Sequence, residues 1–155
     1  MFVQMRRAER ALPEEESLEL LCCGQYGILS TIGSDGYPYG VPMSYVYKNH
    51  KILLHSAGEG HKISNLTFSD KVSFCVVGNT KPLPDKFSVL YKSVIAFGRI
   101  RQCTDDEKLQ VLLNVLDKYS PDHKEKGIQY AKTVKERVRG FCIEIECLTG
   151  KARKQ

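Results

Sequence analysis

The residue types best suited to chemistry in this 155-residue chain fall in one run, HSAGEGHK at positions 55–62. It holds two imidazoles (His55, His61), a hydroxyl (Ser56), an ammonium (Lys62) and two glycines (Gly58, Gly60). Ile52, Leu53 and Leu54 precede it as in a strand, and Ile63 and Leu66 follow at the spacing of one helical face. A strand that ends in small residues and feeds a basic helix start gathers free backbone N–H groups, the positive end of a helix dipole and a lysine. That arrangement suits an oxyanion such as a phosphate. The same residues also describe an ordinary strand-to-helix loop with a solvated lysine, since glycine-rich turns before helices are common.

The surrounding pattern says which elements must hold this run. Pro13 followed by Glu14, Glu15 and Glu16 predicts a helix start; Leu18, Leu21 and Cys22 supply its apolar stripe and Gly24 stops it. Residues 27–32 read as a strand, 33–36 as a hairpin turn, 37–47 as one returning strand with Tyr39, Val41, Met43, Tyr45 and Tyr47 on one face, and 51–57 as the next strand. Residues 71–78 alternate around Val72, Phe74 and Val76. A proline-containing loop at 81–85 leads to a long strand at 88–102. Thr104 with Glu107 has the form of a capping box, opening a helix that buries Leu109, Leu112, Leu113 and Leu116; a weaker helix spans 128–137, and a final strand 139–148 faces Phe141, Ile143 and Ile145 one way. With about six hairpin-connected strands and no βαβ rhythm, the expected class is mainly β (α+β): a closed antiparallel six-stranded barrel with peripheral helices, in a single domain over 1–155. The ordered core is expected at about 12–148.

Composition removes several function classes. The formal charge of +5 is modest, and much of it sits in Arg6, Arg7, Arg10, Lys151, Arg153 and Lys154, which read as solvated tails rather than the dense basic and aromatic stripe of a nucleic-acid binder. No apolar stretch approaches the roughly 20 residues of a membrane span, and no signal-peptide core opens the chain, so a cytoplasmic protein without membrane contact is expected. The six cysteines show no C-x-x-C pair and no zinc spacing. No metal site is expected, and the thiols read as small buried hydrophobes.

Four segments carry a resemblance to a known family: YGILST at 26–31 leading into GYPYGVP at 36–42; PMSYVY at 42–47; HSAGEGHK with Asn65 and Leu66; and YKSVIAFGR at 91–99. In order and spacing they resemble the flavin-binding split-barrel proteins, also called pyridoxamine 5'-phosphate oxidase-like, and within them the 5-nitroimidazole-resistance branch. The resemblance covers about residues 15–148. It implies a split barrel, a homodimer with FMN at the subunit interface, and a small-molecule substrate. Pro42, Met43, Ser44 and Tyr45 would lie along the isoalloxazine. His55, Ser56 and Ala57, with Gly60, His61, Lys62 and Asn65, would take the ribityl chain and phosphate. Tyr91, Ser93 and Val94 would approach from the partner subunit. FAD stays an alternative, because an adenylate tail could lie along the barrel surface without a recognisable motif.

Single residues keep their plainer readings beside these. Pro42 within a strand marks an edge or a bulge, and Met43 and Tyr45 read equally as core. His55 points opposite to Leu54; it either donates a proton to a substrate or only orders the flavin. His50 and His123 read as turn and surface residues. The chain lacks the arginine-rich substrate-phosphate contacts and the C-terminal segment of true pyridoxamine-phosphate oxidases, so that oxidation is not expected. A flavin-dependent reductase of small, nitroimidazole-type compounds is the expected function. The alternatives are a flavin carrier or redox sensor without turnover, and a haem-binding relative. A tightly bound nicotinamide cofactor has no G-x-G-x-x-G motif here.

Overall fold

A computed structural model describes residues 1–154. The elements run α1 (Glu14–Cys23), β1 (Gly27–Ile32), β2 (Pro38–Met43), β3 (Val46–Lys48), β4 (Lys51–Ala57), α2 (His61–Phe68), β5 (Lys71–Val77), β6 (Lys81–Leu83), β7 (Ser88–Gln102), α3 (Asp105–Tyr119), α4 (Lys124–Val134) and β8 (Val138–Arg153). The seven main strands pair antiparallel in the order β2-β1-β5-β7-β8-β4-β3, and β6 pairs with β7 as a side arm. The sheet is not closed by hydrogen bonds, yet its edge strands β2 and β3 are consecutive in the chain, joined only by Ser44 and Tyr45. Both edges must therefore curl to one place, which makes the molecule a split barrel.

Strand alternation sets its interior. Leu29, Ile52, Leu54, Phe74, Val76, Val94, Ala96 and Ile143 are fully or nearly fully buried there, with Leu21 of α1 closing one end. Each neighbour in sequence faces outward, the period-2 rule at work. β7 and β8 form the longest ladder. A bulge between Phe97 and Gly98 leaves Glu146 unopposed. A Cβ at Gly98 would lie 2.1 Å from the Glu144 carbonyl oxygen, so the close approach requires glycine.

Several expectations need correcting. The described residues form eight strands, not six: seven in the split barrel and β6 as its side arm. The single strand over 37–47 is two, because Tyr45 and Val46 are both buried and the alternation slips one position there. The proline-containing loop at 81–85 includes a short strand, tolerated because β6 is an edge with a single neighbour. The final strand continues through Gly150 to Arg153, opposite Tyr91. Gly150, beyond the expected end of that strand, lies within it and admits α1: a Cβ would clash with the Ser17 hydroxyl, and its carbonyl accepts the Leu12 N–H. The basic ends are correspondingly not loose. Lys154 pairs with Glu16, Arg7 with Glu9, and Ala8–Arg10 forms a 3-10 turn. Cys22 and Cys23 are exposed, and Cys142 is the buried thiol. On α3 it is Val111 and Leu112 that are buried, with Leu109, Leu113 and Leu116 half-buried. α4 starts at Lys124, ahead of the expected position.

Candidate functional site

The HSAGEGHK run spans the end of β4, a turn and the start of α2. Ile52, Leu54 and Ser56 face the barrel interior, so His55 faces the other side of the sheet, as its alternation with Leu54 requires. There it meets the α3–α4 hairpin. A cavity of about 220 Å³ opens between them, lined by His55, Leu112, Val115, Leu116, Ala131 and Val134, with Tyr130, Arg137 and Val138 at its rim. His55 Nδ1 is buried and has no hydrogen-bond partner among the described residues, an unusual condition for a ring nitrogen. Burial in this apolar setting also lowers the imidazole pKa, because the charged form loses its water. His55 is therefore a neutral ring with an unused polar atom beside an apolar hole.

The turn that follows gathers the cationic groups. Gly60 adopts φ 124°, a conformation side chains avoid, and α2 begins after it without a side-chain cap. The first N–H groups of α2 are thus left for a ligand or water. Lys62 stands in the first turn, half-exposed. Arg139 lies opposite Ser56 in the β4–β8 ladder, and its Nε is 3.5 Å from where a Cβ on Gly58 would sit. Neither cation makes an ion pair among the described residues. Arg139 is the residue that sequence reasoning missed; only strand pairing puts it beside the turn.

The remaining candidates divide by face. Pro42 and Ser44 are exposed at the open edge formed by β2. Met43 packs against the core, and Tyr45 is fully buried, its hydroxyl donating to the Leu21 carbonyl. The backbone of Tyr45 is occupied too. Its N–H donates to the Tyr119 hydroxyl at 3.1 Å, and its carbonyl accepts from Lys118 Nζ at 3.0 Å. Ser56 faces inward with its hydroxyl on the Ala57 carbonyl, and Ala57 is exposed. His61 stacks on Tyr39 with centroids 4.0 Å apart. Asn65 is buried and donates to Thr31 at 3.0 Å, fastening α2 to β1. Tyr91 and Ser93 face outward on β7, whereas Val94 points into the core. The side chains of Tyr45, Asn65 and Val94 are thus committed to the fold. Pro42, Ser44, Ala57, the turn around Gly60, Lys62 and outward-facing His55 remain accessible to a ligand. From Tyr39, beside the turn, to Ser44 the edge extends about 17 Å at roughly 3.3 Å per residue.

A sequence profile described as pyridoxamine 5'-phosphate oxidase matches residues 13–152. The chain belongs to the pyridoxamine 5'-phosphate oxidase family. No curated protein matches the sequence. Among solved structures, one of a candidate 5-nitroimidazole antibiotic resistance protein from Bacteroides thetaiotaomicron is similar with a TM-score of 0.80 at 21% identity, covering 92% of this chain and 86% of that one. An FAD-binding protein from Mesorhizobium loti gives 0.66 at 23% identity, with 94% and 98% covered. A flavocytochrome from Azotobacter vinelandii gives 0.83 at 16% identity, with 98% and 73% covered. At these identities the likeness establishes the split-barrel fold of the pyridoxamine 5'-phosphate oxidase family. Among the described residues, no helix is long and apolar enough to cross a membrane, and no cluster of metal-ligating side chains occurs.

Proposed function

We propose that this chain binds a flavin nucleotide, FMN in the first instance, and serves as a reductase of a small, largely apolar compound such as a nitroimidazole. The observation that carries this reading is the buried, unpartnered Nδ1 of His55 beside a small apolar cavity. The flavin-binding names of several structural neighbours point the same way. The residues fit the group: Lys62, Arg139 and the uncapped start of α2 would hold the phosphate, and the β2 edge with Pro42 and Ser44 would carry the length of the nucleotide. Bound flavin would supply hydride or electron transfer, which no side chain of the protein provides.

The chain's own part lies in binding and proton handling. Leu112, Val115, Leu116 and Val134 would exclude water from a small substrate, and Arg137 at the rim would face its polar end. Neutral His55 offers one N–H and one lone pair. As negative charge builds on a reduced substrate, the imidazole N–H donates a hydrogen bond to it, and that proton passes to the substrate as the other ring nitrogen takes one up from water, so the ring ends neutral. The outward face of β1, β5 and β7 presents Ile28, Cys75, Val77, Ile95 and Phe97, with Val77 55% and Phe97 38% exposed. We assign that face to a second copy of the chain, giving a homodimer with flavin between subunits.

The visible spectrum of the purified protein, with the chromophore released and identified after denaturation, tests the reading. Flavin bands are expected. A protein without colour that takes up no added FMN or FAD would overturn the proposal, and a Soret band would replace it with a haem site.

A further inference from the structure

A second groove, far from His55, has the chemistry of a nucleotide site. It lies between the end of α1, the end of β5, the arm formed by β6 with the start of β7, and the last residues of β8. Its volume is about 1010 Å³, and Tyr26, Tyr91, Lys92, Arg153, Asn79 and Thr80 are among its walls. Three features set it apart from an ordinary surface depression. Two phenol rings stand in it, Tyr26 with 60% of its surface exposed and Tyr91 directly opposite Arg153 in the β7–β8 ladder. Three cations share it with little counter-charge: Lys92 and Lys154 divide one carboxylate, Glu16, at 3.1 and 2.8 Å, and Arg153 makes no ion pair among the described residues. Asn79 and Thr80 add exposed hydrogen-bonding groups at the root of the arm.

Aromatic faces beside excess positive charge recognise a flat base carrying phosphate, and the volume is at the upper end for a small-molecule site. The groove cannot be the phosphate turn seen from another side. Tyr91 lies at one end of β7, and Gln102, next to the strand residues that pair with His55, lies at the other. That separation is about 36 Å along the strand at roughly 3.3 Å per residue. The groove instead opens beside the 44–45 crossover, because the Tyr119 hydroxyl that accepts the Tyr45 N–H donates to the carbonyl of Gln25 in the groove wall.

We propose that this groove binds the adenosine-phosphate part of a dinucleotide, with its base against Tyr26 and Tyr91 and its phosphate on Arg153, Lys92 and Lys154. Two molecules carry that part, a flavin in its FAD form and a separate nicotinamide dinucleotide. The assignment to either rests on the flavin reading above; the binding itself does not.

The test is a fluorescence titration of the whole protein, FMN-loaded where it takes up FMN, with N-methylanthraniloyl-ADP as probe. Saturable binding is expected, weakened about tenfold by Arg153→Glu and by Tyr26→Ser with FMN affinity and melting temperature unchanged. No saturable binding, or binding that neither variant weakens, overturns the proposal. FAD that binds about tenfold tighter than FMN and displaces the probe, an advantage erased by Arg153→Glu, identifies the flavin's own adenylate. NADH that displaces the probe while FAD binds no tighter than FMN identifies a separate dinucleotide. A protein that takes up no flavin but binds the probe in an Arg153-dependent way keeps this groove and refutes the flavin reading; flavin uptake without probe binding does the reverse.

Discussion

His55 concentrates the chemistry because three conditions meet in one ring: burial, an unused nitrogen and an apolar cavity. Replacement by glutamine keeps the approximate volume and a polar end but cannot carry the proton. His55→Gln is expected to retain bound flavin and to lose about 10²- to 10⁴-fold in steady-state turnover, the usual share of a positioned acid or base; loss of flavin without loss of turnover per bound flavin would refute the role. The same ring leaves a mark on stability. Its folded pKa is lowered, so the unfolded chain takes up the proton first as pH falls through about 6.5. Thermal melts of the native chain should therefore lose stability below that pH in a way the glutamine variant does not. The direction of His55 was legible in the alternation with Leu54. Its cover was not, since Leu112 and Val134 reach it only through the packing of a distant helical hairpin. Arg139 was invisible for a similar reason: its place beside Gly58 is a fact of strand pairing, not of spacing.

At the scale of elements, α3 does two jobs with two parts of its length. Its middle walls the His55 cavity through Leu112, Val115 and Leu116. Its end clamps the crossover between the sheet edges, with Lys118 Nζ donating to the Gly24 and Tyr45 carbonyls at 2.6 and 3.0 Å and lying 3.9 Å from the Tyr45 ring centroid. Its start is held by the capping box of Thr104 and Glu107, where the Arg101 fork brings the Glu107 carboxyl down to about 2. These two ends differ in weight. Thr104→Ala removes an exposed cap and should cost about 1 kcal/mol. Lys118→Met strips a charged donor from two carbonyls at the seam and should cost about 2 to 3 kcal/mol. Urea unfolding of both variants checks the order, and equal losses would argue against the clamp. The capping box was readable from four consecutive residues. The clamp was not, because nothing local distinguishes Lys118 from a solvated lysine on the last turn. A local signal also misled: the run through Ser44 and Tyr45 kept its alternation of residue types while the backbone slipped by one.

Across the whole molecule, helices cover β4 and one end of the barrel, whereas the outer face of β1, β5 and β7 keeps Val77 and Phe97 exposed. Phe97 stands on that face with Phe2 against it, ring centroids 5.4 Å apart. If a second copy covers it, sedimentation should give twice the 17.6 kDa of the chain, and Phe97→Glu should give the single chain with weakened flavin retention; a native chain that sediments as a monomer when loaded with flavin would refute the assignment. The number of hairpins and the absence of βαβ units were enough to read a barrel from the sequence. The order of its strands was not, because β8 pairs with two strands made long before it. That order has a consequence for biosynthesis. β8 fills the place between β7 and β4, and it is the last of the eight strands to leave the ribosome. Until it emerges, two long apolar edges face each other with no strand between them, and unpaired edges of that kind seek partners in other chains. The barrel therefore cannot close piece by piece as it is made. Its nascent form is two half-sheets waiting for one strand, and a chain interrupted before that strand would aggregate rather than settle into a smaller barrel.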